Sequence, residues 1–187
     1  MESCVAEERL LIRKVISGGQ TGADRGGLDA ALTSGVKHGG WCPRGRRAED
    51  GVIPSRYELT ETDTSAYVVR SRMNVCDARA TLVFTYGEPM GGSLTTLKLC
   101  EKEKKPGLHC DLASQSTTQA ERYISEWLTR HAMLNAPVLP GLERESSGIS
   151  LNVAGSRESM APGIQDRVFA VVKSILERFG LCRTSVR

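Results

Sequence analysis

The segment SGGQTGADRGG, residues 17–27, carries the densest set of groups that can bind a ligand. It follows the apolar residues Val15 and Ile16, so it is expected to begin where a buried strand ends. Its glycines allow a ligand to approach the backbone, and the N–H groups at the start of a following helix are unpaired and lie at the positive end of the helix dipole. These features predict an anion site, usually for phosphate, with candidate residues Gly18, Gly19, Gln20, Thr21, Gly22 and Asp24.

The spacing of this segment differs from two common phosphate-binding motifs. No Gly-Lys-Ser/Thr follows the glycines, as a P-loop requires, and the G-x-G-x-x-G spacing of the dinucleotide fingerprint is absent. A tight structural turn is the alternative interpretation, in which Asp24 caps the helix instead of reaching a ligand hydroxyl. The position at the end of a strand favours ligand binding, because ligands of parallel sheets lie there.

Two later segments repeat this chemistry. GEPMGGSLTT (87–96) places hydroxyls at the start of a predicted helix, and its candidate residues are Gly91, Gly92, Ser93 and Thr95. GSRES (155–159) contributes Gly155, Ser156 and Arg157, and a guanidinium can hold a phosphate or carboxylate with two hydrogen bonds. The alternatives are that Ser93 caps its own helix and that Arg157 forms a surface salt bridge with Glu158.

The segment WCPRGRRAEDG (41–51) is rich in arginine and has an apolar start. Arg44 and Arg46 are its candidate ligand-binding residues, and a solvated loop is the alternative interpretation. No stretch of the sequence combines a nucleophile with a local base, and the scattered cysteines and histidines form no metal-binding pattern. The residues therefore predict a site for a phosphate-bearing ligand, with no catalytic and no metal-binding residues.

The elements that must position these segments alternate between strand and helix. Short β-rich runs are predicted at 14–17, 80–87, 108–112 and 148–155. Helices are predicted at 24–35, 64–78, 91–107, 119–134 and 162–180, and residues 39–59 are predicted as a loop. This order is typical of an α/β domain, Rossmann-like and three-layered, with a mostly parallel sheet and helices on both faces. The three glycine-rich segments then face one crevice at the carboxyl ends of the strands.

Length and composition narrow the class of protein. The chain has 187 residues, which suggests a single domain over 13–180, with a flexible N-terminal segment at 1–12 and a C-terminal tail at 181–187. A formal net charge of +3 is too balanced for a nucleic-acid binder. An apolar signal core and a run of about 20 apolar residues are both missing, so we expect a cytoplasmic protein without a membrane partner.

Five segments also resemble a known family, the molybdenum cofactor carrier proteins. They are, in chain order, ISGGQTGADRGGLDAA, GGWCPRGRRAEDGVIPSRYELTET, NVCDARATLVF, GGSLTTLKLCEKEKKP and LNVAGSRES, and the resemblance extends over about residues 14–175. The resemblance implies a Rossmann-like fold, shared with the lysine decarboxylase-like phosphoribohydrolases, and homo-oligomers that are dimers or tetramers. It also implies binding of the molybdenum cofactor, a molybdopterin with a terminal phosphate, or of a related oxyanion.

The phosphoribohydrolases supply the rival function. They are similar in their second loop, PGGxGTxxE, where the glutamate supports cleavage of a nucleoside monophosphate. In the matching stretch, residues 89–98, Leu94 stands at the third glycine and Lys98 at the glutamate. This departure favours a binding or carrier protein over an enzyme. A nucleotide-processing enzyme and a nucleotide-sensing module remain the alternatives.

Overall fold

The protein folds around a parallel sheet with helices on both faces. The computed structural model describes residues 11–132 and 148–180. The sheet strands are β1 (Ile12–Ile16), β2 (Lys37–Cys42), β5 (Leu59–Glu61), β6 (Ala80–Thr85), β7 (Gly107–Asp111) and β8 (Ile149–Gly155). A short antiparallel hairpin joins β3 (Arg47–Ala48) to β4 (Gly51–Val52). The helices are α1 (Ala23–Thr33), α2 (Tyr67–Asp77), α3 (Gly91–Lys102), α4 (Thr117–Ala132) and α5 (Ile164–Phe179).

The strand order explains where the ends of the strands meet. Within the described residues the sheet has six strands in the order β5-β2-β1-β8-β6-β7, and each neighbouring pair is parallel. The central strands β6 and β8 are buried on both faces, as their apolar sequences require. The prediction of a Rossmann-like α/β fold is confirmed. The last of the described strands, β8, lies between β1 and β6.

The helices form two layers around this sheet. α1 packs along α5, and α4 packs beside α5 on the same face, while α2 and α3 pack together on the other. Close packing of α1 on α5 depends on Gly26, since a Cβ there would lie 2.5 Å from the Gln165 carbonyl oxygen. No helix in the described ranges has the length and hydropathy that a membrane span needs.

Residues 39–59 differ from their prediction as a loop. They contain most of β2, which pairs with β1, and then the β3–β4 hairpin. The glycines in this region do not break the strand. Gly40 instead permits close contact, because a Cβ there would lie 2.3 Å from the Ser17 carbonyl oxygen.

A second apolar cluster anchors the residues around the hairpin. Leu28 of α1 packs with Cys42, Ile53 and Tyr57, and each of these side chains is fully buried. This cluster holds the 42–57 region against α1, and it gives Cys42 a place in the core. The β3–β4 hairpin therefore lies next to the loop that follows β1.

The start of β1 differs from its prediction, and a polar side chain connects α2 to the sheet. β1 begins at Ile12, one residue inside the segment predicted to be loose, and Ile12 is fully buried. On α2 the apolar residues Val68 and Val69 are exposed, and Asn74 fixes this helix to β2. The Asn74 side chain accepts a hydrogen bond from the Trp41 N–H at 2.7 Å and donates one to the Trp41 carbonyl at 3.0 Å.

Candidate functional site: the crevice at the carboxyl edge of the sheet

Three loops leave neighbouring strands at one edge of the sheet. The β1 loop (17–22), the β6 loop (86–90) and the β8 loop (156–163) follow strands that lie side by side, with β8 in the middle. The β8 loop contacts both neighbours. The Ala23 N–H donates to the Ser156 carbonyl at 3.0 Å, and the Ser156 N–H donates to the Phe84 carbonyl at 2.9 Å. Ser156 thus joins the ends of the three strands through its backbone.

Several glycines of this edge make room for protein atoms. A Cβ at Gly18 would overlap the Arg70 guanidinium, and one at Gly19 would lie 2.5 Å from Leu59. At Gly22 a Cβ would lie 2.5 Å from the Ser156 carbonyl oxygen, and at Gly155 it would lie 2.0 Å from the Phe84 carbonyl oxygen. These four glycines leave room for neighbouring protein atoms, a physical reason that differs from the ligand approach that we predicted.

The carboxylate of Asp24 turns back to the backbone of the loop that precedes α1. This carboxylate accepts a hydrogen bond from the Gln20 N–H at 3.2 Å and pairs with the Arg70 guanidinium at 3.1 Å. Asp24 is only 3% exposed, and burial raises the pKa of its carboxyl even though Arg70 and the backbone N–H groups of Gln20 and Gly18 oppose the shift. The N–H groups of the β1 loop are thus largely used within the protein.

Gln20 and Thr21 connect the β1 loop to the β3–β4 hairpin. The Gln20 side-chain oxygen accepts the N–H groups of Thr21 at 3.0 Å and Glu49 at 2.9 Å. The Thr21 hydroxyl donates to the Glu49 carboxylate and accepts the Glu158 N–H at 3.2 Å. The Gln20 amide and the Thr21 hydroxyl, which the sequence predicts as ligand groups, therefore connect the β1 loop to the hairpin and to the β8 loop.

Glu49 lies between the β1 and β8 loops, where sequence analysis assigned no residue. Its carboxylate accepts hydrogen bonds from the Thr21 hydroxyl and from the N–H and hydroxyl of Ser159. The Arg157 guanidinium lies 3.7 Å from the same carboxylate. Burial raises the pKa of Glu49, but the hydrogen bonds from Ser159 and Thr21, together with the charge of Arg157, outweigh burial and hold the pKa below its ordinary value.

A second carboxylate fastens the hairpin to α1. Asp50 forms a two-pronged pair with the Arg25 guanidinium, with N–O distances of 2.6 and 2.7 Å. Arg25 also donates through Nε to the Gly19 carbonyl at 3.2 Å. Hydrogen bonds from Arg25 lower the pKa of the Asp50 carboxyl. The hairpin is thus tied to the β1 loop by acidic side chains at two consecutive positions.

The predicted arginines of the 41–51 segment take different places. The Arg46 guanidinium donates to the backbone carbonyls of Ile53, Pro54, Tyr57 and Leu59 at 3.0–3.1 Å. Arg46 thereby holds the 53–59 turn together, and this contact set accounts for its presence without a ligand. Arg44 is exposed. A ligand contact by Arg44 or Arg46 stays a prediction.

The start of α3 has a different character. Gly87 is held in the β6 loop by the Asp111 carboxylate, which accepts its N–H at 2.7 Å. A Cβ built on Gly91 or Gly92 meets no atom within 4 Å, and the helix cap at Met90 makes no side-chain hydrogen bond. The first turn of α3 is therefore open around Gly91 and Gly92.

The hydroxyls of α3 are partly committed to the helix. Thr95 donates to the Gly91 carbonyl at 2.9 Å, and Thr96 donates to the Gly92 carbonyl at 3.0 Å. Ser93 is buried in the first turn, and Lys98 is exposed farther along the helix. Of the predicted hydroxyls here, Thr95 thus serves its own helix, while a ligand contact by Thr95 or Ser93 stays a prediction.

The three helix starts differ in how their N–H groups are satisfied. At the start of α1 the Ala23 N–H donates to the Ser156 carbonyl at 3.0 Å, whereas at the start of α5 the Glu158 carboxylate accepts the N–H groups of Gly163 and Gln165. Within the described parts of the chain, no carboxylate contacts the first turn of α3. An anion contact at residues 91–93 stays a prediction.

Two comparisons place the chain among known proteins. A model of the circularly permutated YpsA SLOG family matches residues 15–176. A crystal structure from Syntrophus aciditrophicus SB, described as a "putative molybdenum carrier protein", is 38% identical over 90% of this chain and 98% of that one, with a TM-score of 0.79. No curated protein matches the chain. Ile12 pairs with Gly180 in a parallel bridge, which brings the two ends of the matched region together as a circular permutation requires.

Proposed function

The chain belongs to the circularly permutated YpsA family of SLOG proteins, and we propose that it binds a phosphate-bearing small molecule at the carboxyl edge of its sheet. The observation that carries this proposal is the open first turn of α3 at the end of the central strand β6. The Ser93 N–H donates to the Met90 carbonyl at 3.1 Å, so the N–H groups of Gly91 and Gly92, together with the positive end of the helix dipole, are the groups that favour a phosphate there. Gly91 and Gly92 leave space for the phosphate to approach the backbone.

Arg157 supports the proposal from the β8 loop. Its side chain is 49% exposed, and its charge is shared with Glu49 over a distance of 3.7 Å, which is longer than a direct hydrogen bond. The guanidinium is therefore available to a second charged or polar part of the ligand. A ligand that reaches from α3 to Arg157 crosses the end of β8, which separates β6 from β1.

We propose the molybdenum cofactor as the cargo, with its terminal phosphate on residues 91–93. Support comes from the relative that is described as a molybdenum carrier and from the fit of a phosphate to the α3 turn. A free oxyanion such as molybdate is a smaller candidate ligand that the same donors would bind. In this proposal the protein is a cytoplasmic homo-oligomer that stores or delivers the cargo without transforming it.

A nucleotide hydrolase is the alternative class, and the charges near the crevice do not favour it. Lys98 stands where the phosphoribohydrolase glutamate is expected, and it is exposed on α3. Two carboxylates near the crevice, those of Asp24 and Glu49, are both engaged by protein donors. A positively charged Lys98 opposes the positive charge that develops on a ribose during N-glycosidic cleavage.

The identity of the ligand is tested by mass spectrometry of small molecules released from the purified, denatured protein. We expect a phosphate-bearing molecule, and a pterin among the released species identifies the cofactor. Release of compounds without phosphate, at a stoichiometric amount, contradicts the proposal.

The place of the phosphate is tested by Gly92→Asp. Residue 92 is the second position of α3 and has open space around it, so a carboxylate there is accommodated and competes with a phosphate for the helix start. Thr118→Asp is the matched control, because it adds the same charge at the second position of α4, where Thr118 is exposed. Calorimetric titration with adenosine monophosphate should show weakened binding in Gly92→Asp and unchanged binding in Thr118→Asp. Equal binding by both variants would show that the phosphate site is not at the start of α3.

A further inference from the structure

The Glu49 carboxylate sits on a set of donors that suits an oxyanion. The donors are the Thr21 hydroxyl, the N–H and hydroxyl of Ser159, and the Arg157 guanidinium. They come from the β1 and β8 loops and converge on one carboxylate. Hydroxyls, a backbone N–H and a guanidinium are also the groups that hold phosphate in proteins.

We propose that these donors form an oxyanion subsite, which Glu49 fills as an internal competitor and which a tetrahedral oxyanion such as phosphate or molybdate occupies by displacing it. The inference rests on the proposed function, since it concerns the same crevice. It adds a second anion position, distinct from residues 91–93, and assigns Ser159 and Glu49 to it. A ligand with two anionic groups then has one place for each.

The location of Glu49 makes its side chain easy to displace. It follows β3 in a hairpin whose far strand is exposed, with Val52 73% exposed. Ala48 is partly buried against the second apolar cluster, and it is not fixed by the carboxylate. Rotation of the Glu49 side chain therefore exposes no core residue and leaves the sheet intact.

The hairpin stays attached when the carboxylate leaves. The Glu49 N–H remains bonded to the Gln20 side chain, and Asp50 remains paired with Arg25. These contacts use the backbone of Glu49 and a different side chain, so they are independent of its carboxylate. Displacement therefore moves only the Glu49 side chain, and the β1 and β8 loops on either side of it stay in place.

Charge decides whether the subsite accepts an anion. With Glu49 in place, its negative charge offsets that of Arg157, and the nearby Glu158 carboxylate is turned to the start of α5. Asp50 is neutralised by Arg25. Once Glu49 moves out, Arg157 and the neutral donors of Thr21 and Ser159 face the ligand. Removing the Glu49 charge should therefore strengthen oxyanion binding.

The test compares Glu49→Ala with Glu61→Ala. Glu61 is a matched control because it also accepts a backbone N–H, that of Gly45 at 2.5 Å, in the same part of the chain. Titration calorimetry with inorganic phosphate and with molybdate should show binding tightened about tenfold in Glu49→Ala, the worth of one charge-assisted hydrogen bond, and little changed in Glu61→Ala. The double variant Glu49→Ala with Ser159→Ala should lose most of this gain. Equal affinities in the two single variants overturn the inference.

A measurement on the unmodified protein gives an independent answer. Carbon-13 NMR of the glutamate carboxyls follows the titration of Glu49, which lies below the ordinary range while Ser159 and Thr21 donate to it. Saturating inorganic phosphate should return the pKa of Glu49 toward its ordinary value, because displacement removes those hydrogen bonds. An unmoved titration shows that Glu49 stays in place and overturns the inference.

The two proposals fail in different ways. Weakened binding in Gly92→Asp with no effect of Glu49→Ala leaves the proposed function standing and refutes the internal competitor. Absence of phosphate and molybdate binding in every variant, Glu49→Ala included, refutes both.

Discussion

The Arg70 guanidinium lies against the backbone of Gly18 so closely that a Cβ at position 18 would be 1.8 Å from Arg70 Nη1. The same guanidinium pairs with the buried carboxylate of Asp24 at 3.1 Å, and its Nε is buried without a hydrogen-bond partner. Arg70 belongs to α2, whereas Gly18 and Asp24 flank the β1 loop. The loop shape and the charge of its internal carboxylate are thus set by one side chain from the opposite helix layer.

Gly18→Ala is expected to destabilise the protein strongly. The new methyl group displaces Arg70 and leaves Asp24 as an unpaired buried charge, which typically costs about 3 kcal/mol or more. Urea denaturation at neutral pH measures the change in the free energy of unfolding. A loss below about 1 kcal/mol would contradict this account.

The Arg70→Ala background separates the clash from other effects of the methyl group. Arg70→Ala is itself destabilising because it unpairs Asp24, but it removes the atoms that the methyl group would meet. In that background Gly18→Ala should cost much less, giving a coupling of about 1 kcal/mol or more between the two positions. Additive effects of the two substitutions would show that the contact does not govern the loop.

Gly92→Ala should separate stability from ligand binding. The added Cβ meets no atom within 4 Å, and alanine favours a helix over glycine by about 0.5–1 kcal/mol, so the free energy of unfolding should stay level or rise. The methyl group nevertheless obstructs a phosphate at the start of α3, and calorimetry with adenosine monophosphate should show weaker binding. Undiminished affinity in a stable variant is the result that speaks against phosphate at this turn.

Arg157→Ala should reduce affinity with little effect on stability. Its side chain is half exposed, and an exposed pair at 3.7 Å contributes little to folding. A guanidinium that holds a charged ligand group is worth roughly 1.5–3 kcal/mol, so calorimetry should show affinity for the released ligand falling about tenfold or more. A lowered melting temperature with intact affinity would make Arg157 a structural residue instead.

Acid should weaken the hold of the hairpin on the β1 loop. The pKa values of Glu49 and Asp50 are lower in the folded protein than their ordinary values, so each contributes stability above the ordinary range that is lost as pH falls through the folded pKa. Urea denaturation should give a declining free energy of unfolding below about pH 4.5, with a shallower decline in Glu49→Gln and in Asp50→Asn. If both variants lose stability as steeply as the unmodified protein, the acid sensitivity comes from other groups.

Hydrolysis of adenosine monophosphate should stay at the uncatalysed level. Lys98 is exposed on α3 at the position where the phosphoribohydrolases have a glutamate, and Asp24 is held by Arg70. Chromatographic detection of free adenine measures the rate, while thermal melting with adenosine monophosphate reports binding by mass action. Enzymatic release of adenine that Asp24→Asn abolishes would make the protein a hydrolase.

Hydrophobic periodicity was sufficient to predict the α/β architecture and every long helix. α5 shows why, since its buried residues recur with the helical period from Ile164 to Phe179. The strand β2 was missed because its glycines and the Trp41-Cys42-Pro43 sequence resemble a loop by composition. Tertiary pairing with β1 decides its conformation, and single-sequence patterns do not contain that information.

The positions of the three loops were predictable from the sequence, and their contacts were less so. Glycine-rich segments after apolar runs correctly marked the loops that follow β1, β6 and β8. The internal anions were not foreseen, because Glu49 reaches Thr21 across 28 positions and Arg70 reaches Asp24 across 46. Such contacts depend on how the hairpin and α2 fold back on the sheet. Only the four-residue spacing of Gln20 and Asp24 offered a local signal.

The position of β8 has a consequence for synthesis of the protein in the cell. Residues 149–155 leave the ribosome after every other strand of the described sheet, yet they belong between β1 and β6. Until they emerge, those two strands have unpaired backbone groups on their facing edges, which are sites for pairing with other chains. The nascent protein therefore cannot close its sheet before β8 has emerged. It must remain unassembled, within reach of chaperones, until the last strand is inserted.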